Sequence, residues 1–84
     1  MNCEEIKNKL VSLCTEIFQH CGVDTSLLEY VDLVNDIGMD SIMFITLVVE
    51  IENTFNITVP DNLLTIDKFR DIGSIVCIIS EQIA

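Results

Sequence analysis

Apolar residues recur every three or four positions through most of this chain, the spacing of one face of an α-helix. The first such stripe consists of Ile6, Leu10, Leu13, Cys14 and Ile17, with Phe18 and Cys21 beside it. The stripe predicts a helix over 2–20. Asn2 and Glu5 resemble a capping box at its start, and Gly22 lies where a C-terminal cap is expected.

A second helix is predicted over 41–55, with Asn56 as its cap. Its apolar residues form two stripes: Phe44, Leu47, Val48, Ile51 and Phe55 on one face, and Ile42, Ile45 and Val49 on another. A surface helix needs only one apolar stripe, so the second is expected to be exposed and to mark a partner site. The alternative is that Ile42 and Ile45 pack beneath the preceding loop.

The connection 23–39 is long for a compact domain, and long loops are often functional. Short turns are predicted near 26–30 and over 32–37. Apolar residues along the connection are expected to pin it across the helix ends: Leu27, Leu28, Val31, Leu33, Val34 and Ile37.

After the second helix, Pro60 prevents helical continuation. A turn is predicted over 61–64, and a short third helix over 65–70 with Ile66 and Phe69 facing inward.

The last helix is predicted over 72–83, capped by Asp71. Its stripe is Ile72, Ile75, Val76, Ile79 and Ile83. The pattern as a whole predicts an all-α fold, a four-helix bundle with three longer helices and one short one. The length of 84 residues suits one domain over 1–84.

Acidic residues outnumber basic ones 14 to 4, which gives a formal net charge of −10. This charge argues against binding to nucleic acid or to anionic membranes. It favours protein partners with basic surfaces. No apolar run is long enough to cross a membrane, and the polar first ten residues do not resemble a secretory signal.

The four cysteines are Cys3, Cys14, Cys21 and Cys77. They form no Cys-x-x-Cys pair, and His20 is the only histidine, so the spacing argues against a zinc site. Cys14 and Cys77 fall on predicted core faces. All four are interpreted as reduced thiols of a cytoplasmic protein.

The sequence contains no catalytic constellation. His20 and Cys21 are adjacent, and neighbouring helix positions point about 100° apart, which argues against a nucleophile pair. His20 is interpreted as a solvated residue at a helix end. The carboxylates are scattered, and the glycines do not cluster as a phosphate-binding loop requires.

Ser41 stands where a polar loop meets the second helix. Its simplest interpretation is a helix cap, because serine accepts a hydrogen bond from a free N–H of the first turn. Asp36 and Asp40 place negative charge near the positive end of the helix dipole. Gly38 allows the backbone to turn tightly before the serine.

The run Asp36-Ile37-Gly38-Met39-Asp40-Ser41-Ile42 resembles the phosphopantetheine attachment motif of acyl and peptidyl carrier proteins. The resemblance continues through the acidic end of the second helix, 50–55, and through Val59-Pro60-Asp61. It implies that Ser41 carries 4'-phosphopantetheine, whose thiol holds acyl, aminoacyl or peptidyl intermediates as thioesters. It also implies that Asp40 contacts the modifying enzyme, and that the protein is not itself an enzyme.

The resemblance places a partner-binding face on the second helix. The candidate residues are Ile42, Met43, Ile45, Thr46, Val49 and Glu52. Met43 and Thr46 stand where fatty-acid carriers often have acids, while Glu50, Glu52 and Asn53 remain nearby. Docking is therefore expected to depend more on apolar contact, as in carriers of nonribosomal peptide or polyketide-type pathways.

The implied partners are a phosphopantetheinyl transferase, an adenylation, ligase or acyltransferase enzyme, and downstream synthase domains. The chain is expected to act as a free-standing monomeric carrier. Three alternatives stay open: a fatty-acid or D-alanyl carrier, a cofactor-free acidic helical adaptor in which Ser41 is only a cap, and a regulatory subunit that has lost the modification.

Overall fold

The computed structural model describes residues 2–20 and 28–83. This part of the chain forms three α-helices and contains no strand. They are α1 (Cys3–His20), α2 (Ser41–Phe55) and α3 (Ile72–Ile83). The prediction of an all-helical fold is confirmed, and the bounds of α2 and α3 agree with the apolar periodicity.

Some sequence predictions fall outside the described residues. These concern Cys21, the cap at Gly22, and the first part of the turn predicted over 26–30. The side chain of His20 is also outside the description, although its backbone ends α1.

The predicted fourth helix over 65–70 is not an α-helix. Ile66–Phe69 forms a single 3₁₀ turn after Thr65, whose backbone is extended. Four residues form too few hydrogen bonds to offset the unfavourable nucleation of an α-helix, whereas 3₁₀ hydrogen bonds suit such short segments. Phe69 is buried and Ile66 is half-buried, so their inward orientation is confirmed.

Two further 3₁₀ turns occupy Leu28–Tyr30 and Asp61–Leu63. The first coincides with the end of the turn predicted over 26–30, and the second with the turn predicted over 61–64. The described chain thus connects its three α-helices through short 3₁₀ turns, and the four-helix count is not confirmed.

Three helix ends are capped by residues that the sequence suggested: Asn2, Asn56 and Asp71. The Asn2 Oδ1 accepts a hydrogen bond from the Glu5 N–H at 2.9 Å, and the Asp71 Oδ1 accepts one from the Ser74 N–H at 2.7 Å. Asn56 ends α2 in the left-handed conformation, with φ 55° and ψ 50°. Asparagine tolerates this region better than most residues.

The core lies between α1 and the other two helices. Ile6, Leu10, Cys14 and Phe18 follow one row of α1 and are fully buried. The other two helices contribute Leu47, Val48, Ile51, Phe55, Ile72, Ile75, Val76, Ile78 and Ile79. α1 contacts both α2 and α3, and is therefore the central packing element.

Cys77 is exposed, so its predicted place in the core is wrong. The residue lies two positions from both Ile75 and Ile79, and two positions rotate a helical side chain by about 200°. Cys77 therefore points away from the face that those isoleucines bury. Cys14 is buried as predicted.

Candidate functional site

Asp40, and not Ser41, caps α2. The Asp40 backbone is extended, with φ −102° and ψ −177°, and its Oδ1 accepts a hydrogen bond from the Met43 N–H at 2.9 Å. Its carbonyl also accepts the first helical hydrogen bond, from the Phe44 N–H at 2.9 Å. The interpretation of Ser41 as the cap is wrong, because helical hydrogen bonding begins one residue earlier. Ser41 is the exposed first residue of the helix.

The tight turn before the serine depends on Gly38. Its φ is +83°, a conformation that residues with a Cβ rarely adopt. Its N–H donates to the Val34 carbonyl at 3.1 Å, and the Met39 N–H donates to the Leu33 carbonyl at 2.8 Å. Met39 is buried while Ser41 is exposed. The turn thus anchors the chain in the core two residues before it presents the serine.

Asp32 organises the start of this loop. Its Oδ1 accepts hydrogen bonds from the Val34 N–H at 2.8 Å and the Asn35 N–H at 2.9 Å. In return, the Asp32 N–H donates to the Asp36 Oδ2 at 2.8 Å. The turn predicted over 32–37 is confirmed. The Asp36 carboxylate has a direct role within it, beyond any effect on the dipole of α2.

Arg70 ties this loop to the segment before α3. Its Nε donates to the Asp32 Oδ2 at 3.1 Å, and its Nη1 donates to the Asp67 Oδ1 at 2.9 Å. Its carbonyl accepts a hydrogen bond from the Leu33 N–H at 2.6 Å. The Asn35 N–H and the Arg70 guanidinium hold the pKa of Asp32 below its ordinary value. Sequence patterns gave no signal for this pairing, because Asp32 and Arg70 are 38 positions apart.

On the helix side of the serine, an aromatic pair packs the first turn of α2. The rings of Phe44 and Phe69 meet edge to face, with centroids 5.3 Å apart and planes at 68°. This geometry is favourable for aromatic quadrupoles. The 3₁₀ turn Ile66–Phe69 therefore contacts the first turn of α2.

The second apolar stripe of α2 is exposed. Ile42 is 76% exposed, Ile45 60% and Val49 47%. The alternative that Ile42 and Ile45 pack beneath the loop is therefore wrong. Thr46 lies beside them and its hydroxyl donates to the Ile42 carbonyl at 2.9 Å, while Met43 is half-buried. The structure thus groups these residues on the surface that begins at Ser41, and their role in partner binding stays a prediction.

A groove between α1 and α2 adjoins the exposed stripe. Its volume is about 570 Å³, and it is lined by Leu13, Glu16, Ile17, Gln19, Ile42, Met43, Thr46 and Glu50. Leu13 and Ile17 pack half-buried against the core, in line with the apolar stripe of α1, and they also line this groove, which was not predicted. The signal was present in α1, where those two residues form a second row beside the fully buried one.

Glu52 lies on the same face of α2 as Ile45 and Val49, seven and three positions after them, but its carboxylate is engaged within the fold. Its Oε2 accepts a hydrogen bond from the N–H of the buried Val59 at 2.9 Å. The residue lies eleven positions after Ser41, or about 16 Å along the helix axis. Its carboxylate holds the segment that follows α2, a contribution to the fold that the sequence analysis did not anticipate.

Within residues 2–20 and 28–83, no cluster of three His, Cys, Asp or Glu side chains is suited to hold a metal ion. In the same ranges, no helix combines the length and apolar character needed to span a bilayer. Burial raises the pKa of the Cys14 thiol to about 12, whereas Cys3 and Cys77 are exposed.

Comparison with known proteins finds similarity to one family over most of the chain. Residues 12–76 match the family model described as the phosphopantetheine attachment site. An acyl carrier protein of Guillardia theta is 33% identical over 85 residues, covering 100% of this chain and 99% of its own. One from Thermotoga maritima is 33% identical over 81 residues, covering 95% and 94% respectively. One from Lactobacillus johnsonii is 32% identical over 74 residues, covering 87% and 86%.

The chain therefore belongs to the acyl carrier protein family, whose members bear a phosphopantetheine attachment site and are carriers rather than catalysts. The residues around Ser41 fit such a group. The serine is exposed, and so are Gly38 and Asp40 beside it. The adjoining stripe at Ile42 and Ile45 is equally accessible.

Proposed function

We propose that Ser41 is the residue that carries 4'-phosphopantetheine. The thiol of this group holds a cargo as a thioester when the group is attached. The observation that supports Ser41 most directly is its position: it is exposed, while the neighbouring Asp40 closes the helix. Its hydroxyl is thus available to a modifying enzyme without loss of the cap.

The remaining residues of the motif have supporting roles in this proposal. Gly38 and Met39 fix the path of the chain into the helix, and Asp40 fixes its first turn. Asp40 also presents a carboxylate beside the serine, where it is expected to contact the phosphopantetheinyl transferase. No side chain of this protein needs to activate the hydroxyl, because the transferase supplies that chemistry.

The experiment that tests Ser41 is intact-mass measurement before and after incubation with coenzyme A and a broad-specificity phosphopantetheinyl transferase. The native chain is expected to gain one phosphopantetheine unit. The Ser41→Ala variant, which retains the Asp40 cap, is expected to stay folded and gain nothing. A gain on Ser41→Ala, or no gain on a folded native chain with an active transferase, would contradict the proposal.

We further propose that the chain serves a nonribosomal peptide or polyketide-type pathway. The support is the exposed apolar stripe of Ile42, Ile45 and Val49, beside which Met43 and Thr46 replace acids common in fatty-acid carriers. A fatty-acid pathway is the second candidate, since the similar proteins from three organisms are all named acyl carrier proteins. Loading by an amino-acid-activating enzyme would support a nonribosomal peptide pathway, and transfer assays that offer the acyl-loaded carrier to polyketide and fatty-acid synthases side by side distinguish those two.

The stripe is proposed to dock the enzymes that load and unload the carrier, because it starts next to the attachment residue. Ile45→Asp is expected to weaken transfer to such enzymes. Cys77→Asp is the matched control, since it adds the same charge to an exposed position of α3. Equal effects of the two substitutions would indicate that charge, and not the α2 surface, is responsible.

A further inference from the structure

The backbone on both sides of Ser41 is held by one short segment of the chain, 66–70. On the loop side, Arg70 binds Asp32 through its guanidinium and Leu33 through its carbonyl. On the helix side, the Phe69 ring packs against Phe44 in the first turn of α2. The segment therefore contacts the chain before and after the serine.

The contacts of Arg70 lead to the serine through a short series of hydrogen bonds. Leu33 donates its N–H to the Arg70 carbonyl, and its own carbonyl accepts the Met39 N–H at 2.8 Å. Met39 is followed by the cap residue Asp40 and then by Ser41. The guanidinium holds Asp32, the residue just before Leu33, so loss of that side-chain contact would be passed through Leu33 to the turn that presents the serine.

The Arg70 guanidinium is well suited to bind two carboxylates at once. Its Nε and Nη1 donate to two different carboxylates, those of Asp32 and Asp67. A lysine ammonium lacks the fixed fork that satisfies both at once. The side chains of Arg70 and Asp32 are 36% and 31% exposed, so this pair is only partly screened by water.

From this geometry we propose that Arg70 is a positioning residue for the modification of Ser41. It holds the loop 32–39 in the conformation that the phosphopantetheinyl transferase binds. This inference rests on the proposed attachment at Ser41. A loop that is ordered before binding reduces the fraction of unproductive conformers, so Arg70 acts on the apparent affinity for the transferase.

The test compares Arg70→Met with Lys68→Met. Both variants lose one positive charge from the same segment, but only Arg70→Met removes the contacts to Asp32 and Asp67. Lys68 is a suitable control because it is exposed. In steady-state assays with coenzyme A and the transferase, Arg70→Met is expected to raise the KM for the carrier by about twofold to fivefold, the upper part of the range for one partly exposed charged contact. Its kcat should stay unchanged.

Amide hydrogen exchange provides a readout that does not require the modification. The N–H groups of Leu33 and Met39 are expected to exchange faster in Arg70→Met than in the native chain, and at the native rate in Lys68→Met.

Asp32→Asn keeps an Oδ1 acceptor for the turn but no longer pairs its second oxygen with Arg70. The double variant of Arg70→Met and Asp32→Asn should then be no worse than Arg70→Met alone, which already lacks the contacts to Asp32 and Asp67.

Three results would overturn the proposal. The first is a native KM in Arg70→Met, and the second is an equal rise in KM for Lys68→Met. The third is a parallel loss of kcat and thermal stability in Arg70→Met, which would indicate general destabilisation. Failure of the proposed attachment at Ser41 is recognised separately, because the native chain would then gain no mass. The amide exchange of Leu33 and Met39 would still report whether Arg70 orders the loop.

Discussion

The assignment of the α2 cap to Asp40 leads to a quantitative comparison of two adjacent residues. Asp40→Ala removes the acceptor that binds the Met43 N–H at 2.9 Å. Loss of such a cap costs about 1 kcal/mol of unfolding free energy. For a domain of this size, that change lowers the melting temperature by about 4–8 °C. Ser41→Ala leaves the cap intact, so its effect should stay within about 0.5 kcal/mol.

The assay is urea unfolding followed by far-UV circular dichroism, with all variants compared at a common m-value. Asp40→Asn is the control, because asparagine retains an Oδ1 acceptor and is as good a cap as aspartate. It should unfold close to the native chain, which separates the hydrogen bond from the charge. A destabilisation by Ser41→Ala that equals that of Asp40→Ala would refute the assignment and return the cap to Ser41.

Three further predictions concern the loop and the thiols. Gly38→Ala should cost about 1 kcal/mol, because its positive φ disfavours any Cβ although the space is open, and urea unfolding measures this. Iodoacetamide should label Cys3 and Cys77 in the folded chain and Cys14 only after unfolding, as peptide mass spectrometry would show. The stability that Asp32 adds should be complete above its ordinary pKa of 3.8 and decline as the pH falls through its lowered folded pKa. The urea midpoint of the native chain should therefore approach that of Asp32→Asn as the pH is lowered.

The helices were predictable because their determinants are local. The periodicity of isoleucine and valine located α2 and α3, and the capping residues Asn2, Asn56 and Asp71 closed helix ends as their side-chain chemistry suggested. The exposure of the second apolar stripe of α2 was predictable because the helix has two apolar stripes, and so short a chain does not surround it on all sides. For the helices and their caps, the information lies within each element and the residues next to it.

The errors and omissions have different physical causes. The choice between Asp40 and Ser41 as cap depends on where the first helical hydrogen bond forms, and both residue types suit that position. Cys77 is small and apolar, so its burial depended on the exact rotation of α3. The contact between Arg70 and Asp32 joins residues 38 positions apart, and only the packed fold brings them together.

The division of roles between Asp40 and Ser41 has a consequence for protein turnover. The hydroxyl proposed to be modified does not close the helix, so attachment removes no capping hydrogen bond. Bare and modified chains should therefore differ in unfolding free energy only by the effect of the added charge at the start of α2, about 0.3–1 kcal/mol. Proteases that attack transiently unfolded chains respond to that free energy. They would therefore degrade both forms at similar rates, and unmodified carrier would not be selectively removed. The fraction of carrier in working form would then be set by the supply of transferase and coenzyme A.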